Sequence, residues 1–427
     1  MSSILKIFDL RTAGKVTLFQ KVTTFSLLLF PILHTYGMPG LNSSIAYVVT
    51  TLLGLIFFMQ KQSANSYGSK KGKVPHYLVL YFIYAIISRV ITAGSINFIP
   101  FDLIILLLFV NLYFGNVNFS YFFKAYRLVA LICIVFFWIQ EVSFSTMGVR
   151  PTGIIPGLMI ISKKVTSAQY AETLAYFARS TSFFCEPAHF AQFLMPLLCL
   201  ELLGPQKSLL RAVPVAVTLL YLRSGNALLG LAVIAAVYVY QLFKGGLKFR
   251  QKIIIILVVL AAVYGGIRFF GTEEGQDLMS RENEVTDTEL VGSGFVRLYR
   301  GYWLYGDFDI LEKTIGVNNN EVLEQHIRNL PTWVFSYGQK DYFNGIQYLL
   351  IHNGLIGTLL FLMLYLSLWK RNDLCGKSCI LTCVAVSFVA AIHLSSFMFT
   401  CLLIAWFRQQ DNKVLRVETS KLQQLKS

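Results

Sequence analysis

The chain has 427 residues, of which 55% are hydrophobic and only 14% are charged, whereas a soluble globular domain carries about 25% charged residues. So many apolar side chains, among them 35 Phe and 22 Tyr, cannot be hidden in a water-soluble core, which excludes a disordered protein, a disulfide scaffold and a cytosolic enzyme. The net charge of +15 can indicate nucleic-acid binding, but the charges lie between apolar runs, so we expect an all-α integral membrane protein with no nucleic-acid partner.

Apolar runs long enough to cross a bilayer, which takes about 20 helical residues, recur along the chain. Twelve spans are predicted, near 22–37, 44–60, 76–93, 101–116, 121–140, 187–204, 208–222, 226–243, 252–270, 343–369, 377–392 and 394–408. The last two are joined so tightly that they could form one broken helix, which would give eleven. The basic segment at residues 1–20 is followed by no small-residue cleavage site, so we expect an amphipathic helix on the inner membrane surface rather than a signal peptide.

Lys and Arg residues in the short loops predict the orientation. With the N-terminus inside, 24 of the 37 basic residues fall in inside segments, and the short outside loops at 38–43 and 94–100 hold none. Both termini are therefore expected in the cytoplasm. The chain then divides into N-terminal helices (1–140), an outer loop (141–186), central helices (187–270), a larger outer loop (271–341), C-terminal helices (342–408) and a cytoplasmic tail (409–427).

The larger outer loop is the most polar part of the chain. It holds 13 of the 22 acidic residues and six basic ones. Loops this long are usually functional or disordered. Helix-like stretches at 295–313 and 320–329 indicate that this loop forms a small folded cap on the outer face.

An ionisable residue in or beside a membrane span is costly, about 2.5–3.5 kcal/mol for a central Arg, so each one needs a reason. Pro187 suits the first turn of a helix, which places Glu186 at the positive helix end and His189 on the same face, with Arg179 just before. These residues form either a helix cap with an interfacial His or an outward-facing acid/base and sugar-binding group. Arg223, between two spans, either snorkels to the interface or binds a lipid diphosphate through its planar fork.

The larger loop carries a second basic and aromatic group. Arg297 and Arg300 are three residues apart and share a helical face, and Tyr302 and Trp303 follow them. The two arginines either pair with the acids of the loop or bind a diphosphate, in which case the aromatic rings would stack on sugars.

The span after this loop begins with further polar residues. Asn344 is expected to line its outer mouth, and His352, which lies deeper, is either a packed core residue or part of a binding site. Cys375, Cys379 and Cys383 form one stripe of a helix without the close pairs that zinc requires, so we expect them to pack, and we expect no metal or cofactor.

Three segments and the layout of the spans carry a family resemblance. The segments are Arg179…Glu186-Pro187-Ala-His189, Gly294-Phe-Val-Arg297 and Asn344…Gly354-Leu-Ile-Gly357. With many spans and one large late outer loop, the chain resembles bacterial repeat-unit polymerases of O-antigen and capsular polysaccharide, the Wzy type, over roughly residues 179–370. The related O-antigen ligases share the architecture, but the surroundings of His326, the only His in the larger loop, differ from the ligase pattern.

The resemblance implies a glycosyltransferase of the bacterial inner membrane that joins polyprenyl diphosphate-linked oligosaccharides on the outer face. The growing chain would be the donor, its anomeric carbon would be attacked with inversion, and polyprenyl diphosphate would leave. Arg297, with Arg300 or Arg223, would stabilise the leaving group, and Glu186 or His189 would be the base. Membrane lipids and a chain-length regulator protein are the implied partners. An O-antigen ligase and a flippase for the same lipid-linked units are the alternatives.

Overall fold

The computed structural model describes residues 16–37, 43–63, 74–93, 101–161, 165–176, 179–244, 296–331 and 343–424. Most of this part of the chain is helical. The helices are α1 (Leu18–Leu33), α2 (Ile45–Ser63), α3 (His76–Thr92), α4 (Phe101–Asn116), α5 (Phe119–Met147), α6 (Ser167–Tyr176), α7 (Pro187–Leu203), α8 (Leu209–Tyr221), α9 (Gly225–Lys244), α10 (Gly301–Asp307), α11 (Ile310–Ile315), α12 (Asn320–Asn329), α13 (Gly345–Trp369), α14 (Leu374–Ser387) and α15 (Ser396–Gln424). A π-helical turn, Val296–Arg300, precedes α10.

The helices follow the predicted spans. A helix overlaps each predicted span whose residues are described, whereas the span at 252–270 and most of the N-terminal segment 1–20 lie outside the described residues. Within the described part, α5, α9 and α13 are long and apolar enough to cross a membrane, and seven further apolar helices are shorter. The architecture is that of a mostly helical membrane protein, and the count of twelve spans stays a prediction.

The surface of the helical bundle supports a membrane location. On α3, for example, Leu80, Ile83 and Ile87 are exposed, while Tyr81 and Phe82 on the other side of the helix are buried. A helix that is apolar on both faces belongs either to a large core or to a membrane. The exposed apolar face of α3 is therefore the kind of surface that is expected to face lipid.

Helix α7 lies at the centre of the bundle. Most of its side chains from Phe190 to Leu203 are buried, and it contacts α5, α8, α9, α14 and α15. Pro187 occupies its first turn, as predicted. Because α7 is surrounded by other helices, its first turn has a fixed position, and this turn carries His189.

A buried carboxylate that sequence analysis did not single out anchors the other end of α7. Glu201 is 1% exposed and accepts hydrogen bonds from Arg127 of α5 and, at 3.0 Å, from Arg211 of α8. A buried charge is costly unless it is paired, so the three ionised groups tie α5, α7 and α8 together.

A small sheet corrects the all-α expectation. Its antiparallel strands β1 (Tyr36–Gly37), β2 (Met159–Ile160) and β3 (Val165–Thr166) have two residues each and the order β1-β2-β3. The hydroxyl of buried Tyr36 also accepts the N–H of Ile155 at 3.1 Å. The sheet therefore ties the end of α1 to the predicted outer loop 141–186.

Helix α13 consists of two helical segments that meet at Gly354, whereas the sequence predicts one continuous span at 343–369. Gly354 has φ 59° and ψ −166°, a conformation that is essentially restricted to glycine. Hydrogen bonds from the cap and from α3 satisfy carbonyl groups at this break. They run from Val317 N to Ile351 O at 2.7 Å, from Asn318 Nδ2 to His352 O at 2.9 Å, and from the Tyr84 hydroxyl to Asn353 O at 3.1 Å. Non-helical backbone within a membrane protein requires such partners.

Residues 296–331 form a small helical cap on α13. Helices α10 and α12 enclose a core that residues just before and within the first part of α13 complete. The core consists of Leu304, Phe308, Val317, Leu323, Ile327, Phe343 and Ile351. The predicted helix over 295–313 is interrupted before α11, where Asp309 and Glu312 form a capping box, and the predicted helix at 320–329 coincides with α12.

Candidate functional site

The first candidate residues lie at the N-terminus of α7. Glu186 is the N-cap residue, with φ −139° and ψ 146°, and its carbonyl accepts the N–H of His189 at 3.1 Å. The Glu186 side chain makes no capping hydrogen bond, so the helix end does not use the carboxylate. Glu186 is half-buried and His189 is exposed. A carboxylate and an imidazole one helical turn apart are groups that general acid–base catalysis uses.

Hydrogen bonds fix the segment that leads into α7. The hydroxyl of Tyr170 in α6 donates to the carbonyl of Cys185 at 2.8 Å. Burial, together with the neighbouring Cys185 and Glu186, raises the pKa of Tyr170, so the Glu186 carboxylate lies near this phenol. Ser182 has a left-handed φ of 56°, which costs about 1–3 kcal/mol, and its N–H donates to Gln140 Oε1 at 2.8 Å. Strain of this kind often marks a functional site.

Two arginines that are far apart in the sequence meet beside this segment. Arg179 Nη1 donates to the carbonyl of Arg223 at 2.6 Å. Arg223 lies in the turn between α8 and α9 with a left-handed φ of 48°, and its guanidinium carbon lies 5.7 Å from the centroid of the Tyr221 ring. Arg179 is exposed and Arg223 is half-buried, so a ligand can reach both cations. The Arg179 guanidinium therefore lies against the backbone of the turn that carries Arg223, and guanidinium groups are suited to binding a diphosphate.

Aromatic and imidazole rings make contacts in two groups, which we together call the aromatic cluster. The first group is His34 and Tyr47, whose ring centroids lie 5.2 Å apart. The second group is Tyr348, His352 and His393, in which the ring of Tyr348 lies 4.3 Å from that of His352 and 5.4 Å from that of His393. The second group includes the predicted candidate His352.

Sequence analysis missed most of this cluster. His34 and His393 are ionisable residues in or beside apolar runs, which is the signal that could have identified them. Tyr47 and Tyr348 carry no such signal, because tyrosines are common along the membrane interfaces. Their contacts with the imidazole rings become visible only in the folded structure.

The second group of predicted residues belongs to the cap. The Arg297 side chain lies outside the described part of the structure. Arg300 is 1% exposed, so it is not accessible to a ligand as Arg179 and Arg223 are. Tyr302 and Trp303 are exposed on α10. Helix α10 contacts mainly α12 and α13, so these residues are held by different elements from those that hold Glu186.

The polar residues of α13 are used mainly for packing. Asn344 is buried, its Oδ1 accepts the N–H of Gln347 at 2.9 Å and its Nδ2 donates to the carbonyl of Phe388 at 2.9 Å. Tyr302 also hydrogen-bonds to Asn344; burial raises the pKa of Tyr302, and this bond partly offsets the effect. His352 Nδ1 donates to the carbonyl of Val317 at 3.0 Å, so the imidazole is oriented by the cap. The ring of His352 packs against Tyr348, another member of the aromatic cluster.

Comparison with known proteins finds no matching family model, no matching curated protein and no matching solved structure. Among the described residues, no group of three His, Cys, Asp or Glu side chains is placed to hold a metal ion. The groups that this part of the chain brings together are a carboxylate, imidazoles, two accessible guanidinium groups and aromatic rings.

Proposed function

We propose that this chain is a membrane glycosyltransferase that polymerises polyprenyl diphosphate-linked oligosaccharide units on the outer face of the bacterial cytoplasmic membrane. The observation that supports this most is the content of one short segment, 179–189. It carries a guanidinium group, a carboxylate and an imidazole, and its Arg179 contacts Arg223. A lipid-facing bundle suits such a substrate, because the polyprenyl chain can stay in the bilayer while the diphosphate and sugars reach the helix ends. A chain-length regulator is a further proposed partner.

The proposed reaction transfers the growing chain to an incoming unit. A hydroxyl at the non-reducing end of the incoming unit attacks the anomeric carbon of the growing chain. The new glycosidic C–O bond forms as the anomeric C–O bond to the diphosphate breaks, with inversion, and polyprenyl diphosphate leaves with the electron pair. Glu186 or His189 accepts the hydroxyl proton. Arg179 and Arg223 stabilise the negative charge on the leaving diphosphate, with Arg297 as a further candidate.

The aromatic cluster supplies what a sugar site needs. Sugar rings present apolar C–H faces, and aromatic side chains commonly pack against them in concave sites. We propose that Tyr348, which packs against His352, offers such a face to the oligosaccharide.

The first test is a complementation experiment in a strain that lacks the gene. Glu186→Gln is compared with wild type and with Glu172→Gln, which changes an exposed carboxylate on α6. The lipid-linked and surface glycans are separated on a gel. We expect wild type and Glu172→Gln to restore a ladder of long polymers, and Glu186→Gln to leave only single units on the surface. A full ladder with Glu186→Gln would remove this residue from the role of base.

The second test concerns the diphosphate. Each hydrogen bond to a charged group is worth about 1.5–3 kcal/mol, so Arg223→Ala should slow polymerisation about 10- to 100-fold. Arg328→Ala is the matched control, because Arg328 is an exposed arginine on α12. Equal rates for the two variants would mean that Arg223 does not contact the leaving group.

A flippase is the second candidate, and the broken helix α13 favours it, because transporters often bind substrates at interrupted helices. In this structure, however, residues of the cap and α3 satisfy carbonyls at the break. The gel distinguishes the functions. In the strain without the gene, single units on the surface indicate a polymerase, single units trapped on the inner face indicate a flippase, and long polymers left on the carrier lipid indicate a ligase.

A further inference from the structure

The cap has an exposed apolar face, for which the structure points to one occupant. We propose that this apolar cap face, defined by Tyr299, Trp303, Ile310 and Leu311, inserts into the headgroup region of the membrane in which the bundle lies. The exposed fractions of these residues are 45%, 52%, 86% and 65%. Side chains this apolar and this exposed are unfavourable in water. Trp and Tyr beside aliphatic residues are typical of the membrane–water interface.

Hydrogen bonds within the cap keep Ile310 and Leu311 exposed. Asp309 and Glu312 form a capping box that fixes the start of α11. On the other side of this corner, the Tyr305 hydroxyl donates to the carbonyl of Lys313 at 3.0 Å, and Lys313 Nζ donates to the carbonyl of Gly306 at 2.8 Å. The polar groups of the corner are thus tied to each other. Ile310 and Leu311, the first two residues of α11, are left on the surface.

Helix α11, which carries Ile310 and Leu311, contacts the bundle beside its exposed apolar surface. The carbonyl of Ile315 accepts the hydroxyl of Ser88 at 2.6 Å, so the end of α11 lies against the last turns of α3. On those same turns Ile87 and Ile91 are exposed. Helix α11 has six residues and is therefore about 9 Å long. Ile310 thus lies within about one short helix of the lipid-facing side chains of α3, at the depth where the bilayer interface is expected.

The exposed side of α12 is polar, as the water-facing side of an interfacial element requires. His326 on α12 hydrogen-bonds to Asp307 and Glu312. Glu321, Gln325 and Arg328 on α12 are exposed. The cap therefore has an apolar side built on the π-helical turn, α10 and α11, and a charged side built on α12. A second protein could also cover an apolar face, but the position of this one beside the exposed apolar surface of α3 favours the bilayer.

Spin labels at two exposed positions test the proposal. Leu311→Cys and Gln325→Cys are each labelled with a nitroxide in the full-length protein, reconstituted in nanodiscs of phosphatidylethanolamine and phosphatidylglycerol. The native cysteines among the described residues are buried, and labelling of the wild-type protein gives the background. Power saturation then compares collisions with oxygen, which partitions into lipid, and with a water-soluble nickel chelate. Ile310→Cys provides a second label on the same face.

We expect the labels at 310 and 311 to be at least several-fold more accessible to oxygen relative to nickel than the label at 325. Nickel accessibility equal to that at 325 would overturn the proposal, because the face would then lie in water. Shielding from both reagents would also overturn it, because a protein surface would then cover the face. The experiment needs no substrate, so its outcome is independent of the proposed glycosyl transfer.

Discussion

Replacing Gly354 by alanine is expected to separate the cap from the broken helix. A Cβ at Gly354 would come within 2.6 Å of the Gly316 nitrogen and would also overlap with the carbonyl group of Thr314. The backbone conformation alone costs about 1–3 kcal/mol for a residue with a side chain. Moving the cap backbone away weakens the hydrogen bond between Val317 and Ile351, worth about 1 kcal/mol. Together these effects predict a loss of about 3 kcal/mol.

Thermal unfolding in detergent measures this loss. With about 2.1 cal/mol/K of unfolding entropy per residue, a chain of 427 residues should melt about 3 °C lower. Hydrogen exchange should rise in 314–318 and 345–353 more than elsewhere. Gly306→Ala is the matched control, since nothing lies within 4 Å of a Cβ there, and it should leave the melting temperature unchanged or slightly higher. Equal melting temperatures and equal exchange for the two variants would refute the account of the break.

Two further predictions concern ionised groups. Glu201→Gln removes the buried carboxylate that Arg127 and Arg211 share, and breaking a buried ion pair costs about 3–5 kcal/mol. We therefore expect a lower melting temperature for Glu201→Gln than for Glu172→Gln. Equal melting temperatures would contradict the pairing. Burial lowers the pKa of His326, but hydrogen bonds and charges from its two carboxylate partners outweigh this effect and leave the pKa raised above its ordinary value of 6.5. The protonated form therefore stabilises the fold fully below about pH 6.5, and the contribution is lost as the pH rises through the raised pKa. The melting temperature of His326→Gln should fall below that of wild type at pH 5.5 and approach it at pH 9, and a constant difference would contradict the sign.

The helix positions could be predicted because apolar length and helix caps are local properties. The predicted spans at 76–93 and 101–116 match α3 and α4 within one residue, and Pro187 was placed correctly in the first turn of α7. The two-residue strands could not be predicted, because so short a strand has no period that a pattern can show. Glu201 could have been found, since a carboxylate inside an apolar run needs a partner.

The break in α13 could not be predicted because its cause is not local. Gly354 follows His352 and Asn353 within a long apolar run, and a single glycine is tolerated in a helix. The helix breaks where the cap segment that contains Gly316 packs against it, and that contact depends on the fold of the whole cap. The contact between Arg179 and Arg223 has the same character, because it joins two turns that only the packing of α7 against α8 and α9 brings together.

The proposed chemistry requires that Glu186 stay in place while a large lipid-linked substrate moves, and the structure contains the supports for this. At one end α7 is tied to α5 and α8 through Glu201. At the other end the segment before Glu186 is held by Gln140 and Tyr170. Such supports matter because positional errors of about 1 Å can cost 100-fold in rate. Tyr170→Phe should therefore weaken polymerisation without abolishing it, because it loosens the support of the base and leaves the base itself intact.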